Sequence, residues 1–166
     1  VAPATPIRAE PPAAPPTVQA ERGPLQLRFE PNVGQADPTV RYVARGDGYA
    51  ITVSPGGLAL ATRPGLGHAD VLAVEAVGAR SDARVTAEHR LPGTVNYLTG
   101  SDPGAWRRGV PTYAAVRCEG LYEGIDAVYY GVEGQLEYDF VVAPGADPRQ
   151  IRLRFEGPGH VEAAAD

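Results

Sequence analysis

From Leu25 onward apolar and polar residues alternate. Leu25, Leu27 and Phe29 stand between Gln26, Arg28 and Glu30, and a period of two is the signature of a strand with one buried face. Pro31 and Asn32 end that run. Short strand-like runs follow at close spacing: 40–44, 49–53, 58–62, 71–77, 85–88, 96–98 and 113–118. Between them lie turn-forming stretches such as Arg45-Gly-Asp-Gly48, Ser54-Pro-Gly-Gly57 and Arg63-Pro-Gly-Leu-Gly67, which supply the positive or fixed φ of tight turns. Many short strands with Gly/Pro turns predict an all-β domain, mainly an antiparallel β-sandwich. Helix is limited to one or two turns. The best position is after Asp102-Pro103, where Asp caps and Pro takes the first helical position. Asp37-Pro38 and Asp147-Pro148 repeat that device as turn starters.

Residues 1–24 read differently, being rich in Pro and Ala with few large apolar side chains. Such a segment buries too little surface to offset its ordering entropy and is expected to be a disordered tail or linker. The domain then covers 25–166, with 157–166 resembling a further strand cut short. The tetrapeptide Leu-Arg-Phe-Glu occurs at 27–30 and again at 153–156, too short a match to define a repeat.

The run Ile125-Asp-Ala-Val-Tyr-Tyr130, then Gly131-Val-Glu-Gly134, then Leu136-Glu-Tyr-Asp-Phe-Val-Val142 predicts a hairpin. One face carries Ile125, Ala127, Tyr129, Leu136, Tyr138 and Phe140. The other carries Asp126, Val128, Tyr130, Gln135, Glu137 and Asp139. A four-residue loop would set Asp126 opposite Asp139, and a two-residue loop at Glu133-Gly134 would change the partners while keeping the faces. Three carboxylates on one face raise the candidates of a Ca²⁺ site at Asp126, Glu137 and Asp139 or a catalytic acid pair. The favoured reading is a solvated face neutralised by Arg117, Arg152 and Arg154, with the strand 151–155 lying next along the sheet and no cofactor required.

The net charge is −5 and all 15 basic residues are Arg without a basic run, which argues against nucleic acid or an acidic membrane surface as partner. No apolar run reaches the roughly 18 residues of a membrane span. The chain opens on Val1 rather than Met and is expected to be a processed or trimmed piece whose targeting signal, if any, is missing. Cys118 is the only cysteine; with Val116 on its face it reads as a buried structural thiol. His68, His89 and His160 lie in scattered contexts and none is placed by sequence as its partner.

In Phe29-Glu-Pro-Asn-Val-Gly-Gln35 the amides of Asn32 and Gln35 either close a turn, the favoured reading, or contact a ligand. This segment, together with Gly109-Val-Pro-Thr-Tyr113 and the blocks 121–131 and 136–148, resembles the N-terminal domain of bacterial secreted proteins with SBBP β-propeller-type repeats. The resemblance covers about 25–156. It implies a secreted or cell-surface, non-catalytic structural or binding module on the N-terminal side of a larger protein. Its partners would be downstream domains of the same chain and surface glycans or proteins. The alternative is a carbohydrate-binding or carbohydrate-active module, for which Trp106, Tyr130 and the acidic face would form the contact surface.

Overall fold

The computed structural model describes residues 27–46, 48–62 and 70–158. The expected tail, the turn at 63–67, His68, His160 and the expected strand start after 158 lie outside them. Ten strands account for most of the rest: β1 (Phe29–Pro31), β2 (Tyr42–Gly46), β3 (Tyr49–Ser54), β4 (Gly57–Thr62), β5 (Asp70–Ala76), β6 (Arg84–Tyr97), β7 (Arg107–Tyr122), β8 (Ile125–Val132), β9 (Gln135–Val142) and β10 (Leu153–Glu156). Single 3₁₀ turns at Pro103–Ala105 and Pro148–Gln150 are the helical content of the described residues. Each opens on an Asp-Pro step, where Asp102 accepts from the Gly104 N–H and Asp147 from the Arg149 N–H. At the third step Asp37 accepts from both the amide and the hydroxyl of Thr39.

The domain is all-β and antiparallel, but its strands form one continuous sheet rather than the two facing sheets of the expected sandwich. Their order is β10-β5-β4-β3-β2-β1-β7-β8-β9, with β6 on β7. The 16-residue β7 explains the continuity. Tyr113 pairs with Phe29 of β1, while 115–122 pairs with β8. Register shifts along β6 and between Cys118 and Tyr122 mark irregular pairing of the kind that bends a strand and sharpens its twist. The sheet therefore curls into a half-barrel. Its two ends face each other, since one cavity of about 440 Å³ is walled by Leu58, Leu60, Leu72 and Val74 on one side and by Leu136 and Tyr138 on the other.

The alternation that predicted the strands also selects the core. Phe29, Ile51, Val53, Val116, Leu121 and Ile125 are completely or almost completely buried, each contributing on the order of 1.5–3 kcal/mol by leaving water. Gly57 begins β4 because a Cβ there would lie 2.1 Å from the Val74 carbonyl oxygen of the neighbouring strand.

The hairpin takes the shorter of the two loops that its sequence allows, and the expected place of the strand after it is corrected. The loop has two residues, with Val132 opposite Gln135 and positive φ at both Glu133 (50°) and Gly134 (84°), the combination of a type I′ turn whose twist matches that of paired strands. Asp126 consequently faces Val141 and not Asp139, while the membership of each face is as predicted. Nor does the strand around Leu153 lie beside β9. It pairs with β5, and Arg154 bonds Glu75 there. The connection from Ala143 carries the chain through the second 3₁₀ turn to Arg152, whose carbonyl accepts from the Tyr122 hydroxyl, so sequence neighbours become opposite ends of the sheet.

Candidate functional site

Between β1 and β2 the chain runs through Asn32–Arg41 without ladder partners for much of its backbone, and two side-chain amides supply them. Asn32 Oδ1 accepts from the N–H groups of Gly34 (3.0 Å) and Ala36 (3.2 Å), while its Nδ2 donates to the carbonyls of Asp37 (2.8 Å) and Val40 (3.0 Å). Gln35 donates to the Pro31 carbonyl (2.8 Å) and accepts from the Val33 N–H (2.6 Å). These are the local side-chain bonds that replace secondary structure in a turn. The loop is thereby fixed from within.

Arg107 fixes it from outside. Its Nε donates to the Val33 carbonyl (2.6 Å) and Nη1 to that of Ala105 (2.8 Å). Gly34 has φ of 103°, and a Cβ there would lie 2.9 Å from Arg107 Nη2, so glycine answers both the conformation and the close approach.

Beside this loop Glu30, Val43 and Arg45 share one face of the β1–β2 pair, opposite Phe29 and Ala44, as their register requires. Glu30 is buried. The Tyr97 hydroxyl, arriving from the end of β6, donates to Glu30 and accepts from Arg45, whose guanidinium also lies 5.3 Å from the centre of the Tyr97 ring. Burial first, and then the bond to Glu30, push the Tyr97 hydroxyl up to about 12. Gln35, Arg45, Tyr97, Thr99, Ala105 and Arg107 line one polar cavity of about 350 Å³. The charged groups assembled here are Arg45 and Arg107 in the lining and Glu30 behind Tyr97, a sum of one positive charge.

The candidates read from sequence divide into two places. Gln35 lines this cavity, Asn32 builds its loop, and Trp106 lies between the lining residues Ala105 and Arg107. The Trp106 indole N–H donates to the Gly100 carbonyl (3.1 Å), and Arg108 sits 5.0 Å from the ring centre. Tyr130 belongs to another part of the sheet: it pairs with Ala115 of β7, nine residues of chain from Trp106, and does not line this cavity.

On the acidic face, Tyr130 donates to Asp139 (2.8 Å), which raises the Tyr130 hydroxyl above its ordinary range. Asp126 accepts from the Gly120 N–H (2.8 Å) and pairs with Arg117 (3.3 Å), which also binds Glu88 (2.5 Å). Arg117 is therefore a partner as expected, whereas Arg152 and Arg154 belong to the opposite end of the sheet. Among the described residues no three His, Cys, Asp or Glu side chains gather closely enough to hold a metal ion, so Asp126, Glu137 and Asp139 share a face without forming a cage. Cys118 is fully buried; desolvation, with Asp126 adding to it, pushes its thiol up to about 12.

Glu30, Arg45, Tyr97 and Arg107 were not legible as a group. The available signal was the dense Phe29–Gln35 motif itself, in which a carboxylate directly follows a core phenylalanine.

The geometry thus describes an all-β half-barrel with a preorganised polar pocket at one loop. The chain belongs to the DUF7948 family, a domain of unknown function, whose model matches residues 29–166. No curated protein and no solved structure matches it. No helix among the described residues is long and apolar enough to cross a membrane.

Proposed function

We propose that the domain is a non-catalytic binding module and that the polar pocket beside the β1–β2 loop is its ligand seat. The observation that carries this reading is preorganisation. Asn32, Gln35 and Arg107 hold the pocket's rim through bonds that need no ligand, so binding would not have to order the loop, which lowers the entropy lost on association. A non-catalytic role is supported by a buried thiol held in its protonated form and by carboxylates engaged with Arg117, Tyr130 and the backbone. The sequence resemblance supports a secreted or cell-surface setting on the N-terminal side of a larger repeat protein, where glycans of the surface would be the ligands.

The test is an array of neutral and acidic glycans probed with the parent and with Thr99→Tyr, which fills the mouth from an exposed position without removing a bond of the loop. Saturable binding that disappears in the variant is expected. A folded domain that binds nothing, or binding that Thr99→Tyr leaves intact, overturns the reading.

A further inference from the structure

We infer that the pocket recognises a carboxylate carried by a hydroxylated ligand, an acidic sugar of the uronate class. The inference rests on the binding-module reading and adds the ligand's chemistry to it. Two guanidiniums line the cavity, while the carboxylate of Glu30 lies behind Tyr97, receives the Tyr97 hydroxyl and is buried. Charge in the cavity is therefore positive in a protein whose net charge is −5. Arg45 uses Nη1 on Tyr97, which leaves its Nε/Nη2 edge for a ligand, while Arg107 uses Nε and Nη1 on the loop and on Ala105 and adds Nη2 as a further donor. Planar N–H edges match a carboxylate in a way that a point charge does not.

The rest of the lining selects among carboxylates. Gln35, Tyr97 and Thr99 offer amide and hydroxyl groups, and the apolar surface is shared among Ala105, Gly34, the Tyr97 ring and the stems of the polar side chains, with no branched aliphatic residue in the lining. The C-terminal residue of a peptide would need an apolar socket for its side chain. A sugar acid brings hydroxyls that Thr99 and Gln35 can meet, and a single ring fits within about 350 Å³. Charged partners in an open cavity are screened by salt, so the interaction must weaken as ionic strength rises.

Trp106 is the only tryptophan in the chain and is covalently flanked by two lining residues, which makes its emission a local reporter. The experiment is a fluorescence titration, checked by calorimetry, of the full chain with methyl glucuronoside, methyl glucoside and N-acetylglycylleucine, whose C-terminal side chain needs a socket. Arg45→Gln is the test variant, since it leaves the Tyr97–Glu30 bond in place, and Arg154→Gln on β10 is the charge-matched control. Glucuronoside should bind saturably, at least tenfold more weakly in Arg45→Gln, unchanged in Arg154→Gln, and more weakly in high salt; glucoside should bind at least tenfold more weakly than glucuronoside. Equal binding of glucoside, or indifference to Arg45→Gln, overturns the carboxylate while leaving a Thr99→Tyr-sensitive module standing. Tighter binding of the peptide acid overturns the sugar assignment. A folded parent that binds none of the probes and is blank on the array removes both readings.

Discussion

The acidic face of β8–β9 and the pocket beside the β1–β2 loop both concentrate charged side chains, and they do so under different constraints. On the sheet face, neighbours are set by the ladder: Tyr130 faces Glu137, Val128 faces Asp139 and Asp126 faces Val141. The backbone is already satisfied there, so each side chain meets whatever lies within a strand spacing or stands in water. At the loop much of the backbone has no ladder. Side chains from β1, β2, β6 and the start of β7 converge because buried and half-buried polar groups need partners. A sheet surface disperses charge, whereas a loop without a ladder collects it around a fixed cavity. The contrast predicts that substitutions at the loop affect folding and binding together, while those on the face affect little of either.

The largest effect is expected for Asn32→Ala. Its amide serves backbone groups of Gly34, Ala36, Asp37 and Val40, each bond being worth about 0.5–1.5 kcal/mol net. Water can replace part of that at a half-buried loop, which leaves about 2–3 kcal/mol. For a domain of this size the loss corresponds to roughly 5–10 °C in Tm. Thermal unfolding by circular dichroism checks it; a change below 2 °C would mean that the loop does not depend on its internal bonds.

Tyr97→Phe should cost less, about 1–2 kcal/mol, because one hydroxyl between Arg45 and Glu30 is removed. It also has a pH signature. The folded Tyr97 hydroxyl is raised to about 12 against about 10 in an unfolded chain, so the folded state holds this proton more tightly. The stability contributed by that difference is fully present below pH 10 and is lost as pH rises through 12. Denaturant unfolding between pH 8 and 11.5 should therefore show the gap between parent and Tyr97→Phe narrowing toward the alkaline end. Parallel profiles would show that burial and the bond to Glu30 do not raise the folded Tyr97 hydroxyl.

The alternation of apolar residues located the strands well because burial on one face leaves a period of two in any half-buried strand. It failed where the strand itself is irregular. β6 was read as two pieces, since His89 with φ of 56° and Gly93 with φ of 98° interrupt the alternation inside one 14-residue strand. The hairpin faces were legible and its partners were not, because Glu133 in a left-handed conformation is an uncommon turn signal. The pocket was illegible for a different reason: Tyr97 reaches Glu30 and Arg45 across 67 and 52 residues of chain, and no local pattern encodes a contact made by curling a sheet. Only its loop, dense in Pro, Asn, Gly and Gln, announced itself.

On the other side of the comparison, Asp126→Asn should be mild. The Arg117 pair is partly exposed, and such pairs are worth about 0–1 kcal/mol, while the Asn side chain still accepts from the Gly120 N–H. A Tm drop under about 3 °C is expected, with glycan binding unchanged. A loss of binding here would transfer the ligand seat to the acidic face and dissolve the contrast with the loop.

The smallest effect should come from calcium. Asp126 is occupied by Arg117 and the Gly120 amide, Asp139 by the Tyr130 hydroxyl, and Glu137 stands opposite Tyr130. A Ca²⁺ ion takes six to eight oxygens, and recruiting these three carboxylates would require breaking the Arg117 pair and closing the gap left by the two-residue turn, which sets Val141 and not Asp139 opposite Asp126. An ion that bound only the native state at a hundred times its Kd would add about 2.7 kcal/mol, several degrees in a domain of this size. Adding millimolar Ca²⁺ or a chelator should instead leave the transition within a degree, in the parent and in Asp139→Asn alike. A calcium-dependent rise in the parent that vanishes in Asp139→Asn would show that the hairpin rearranges around an ion, and would make the acidic face the second fixed site that its present geometry denies it.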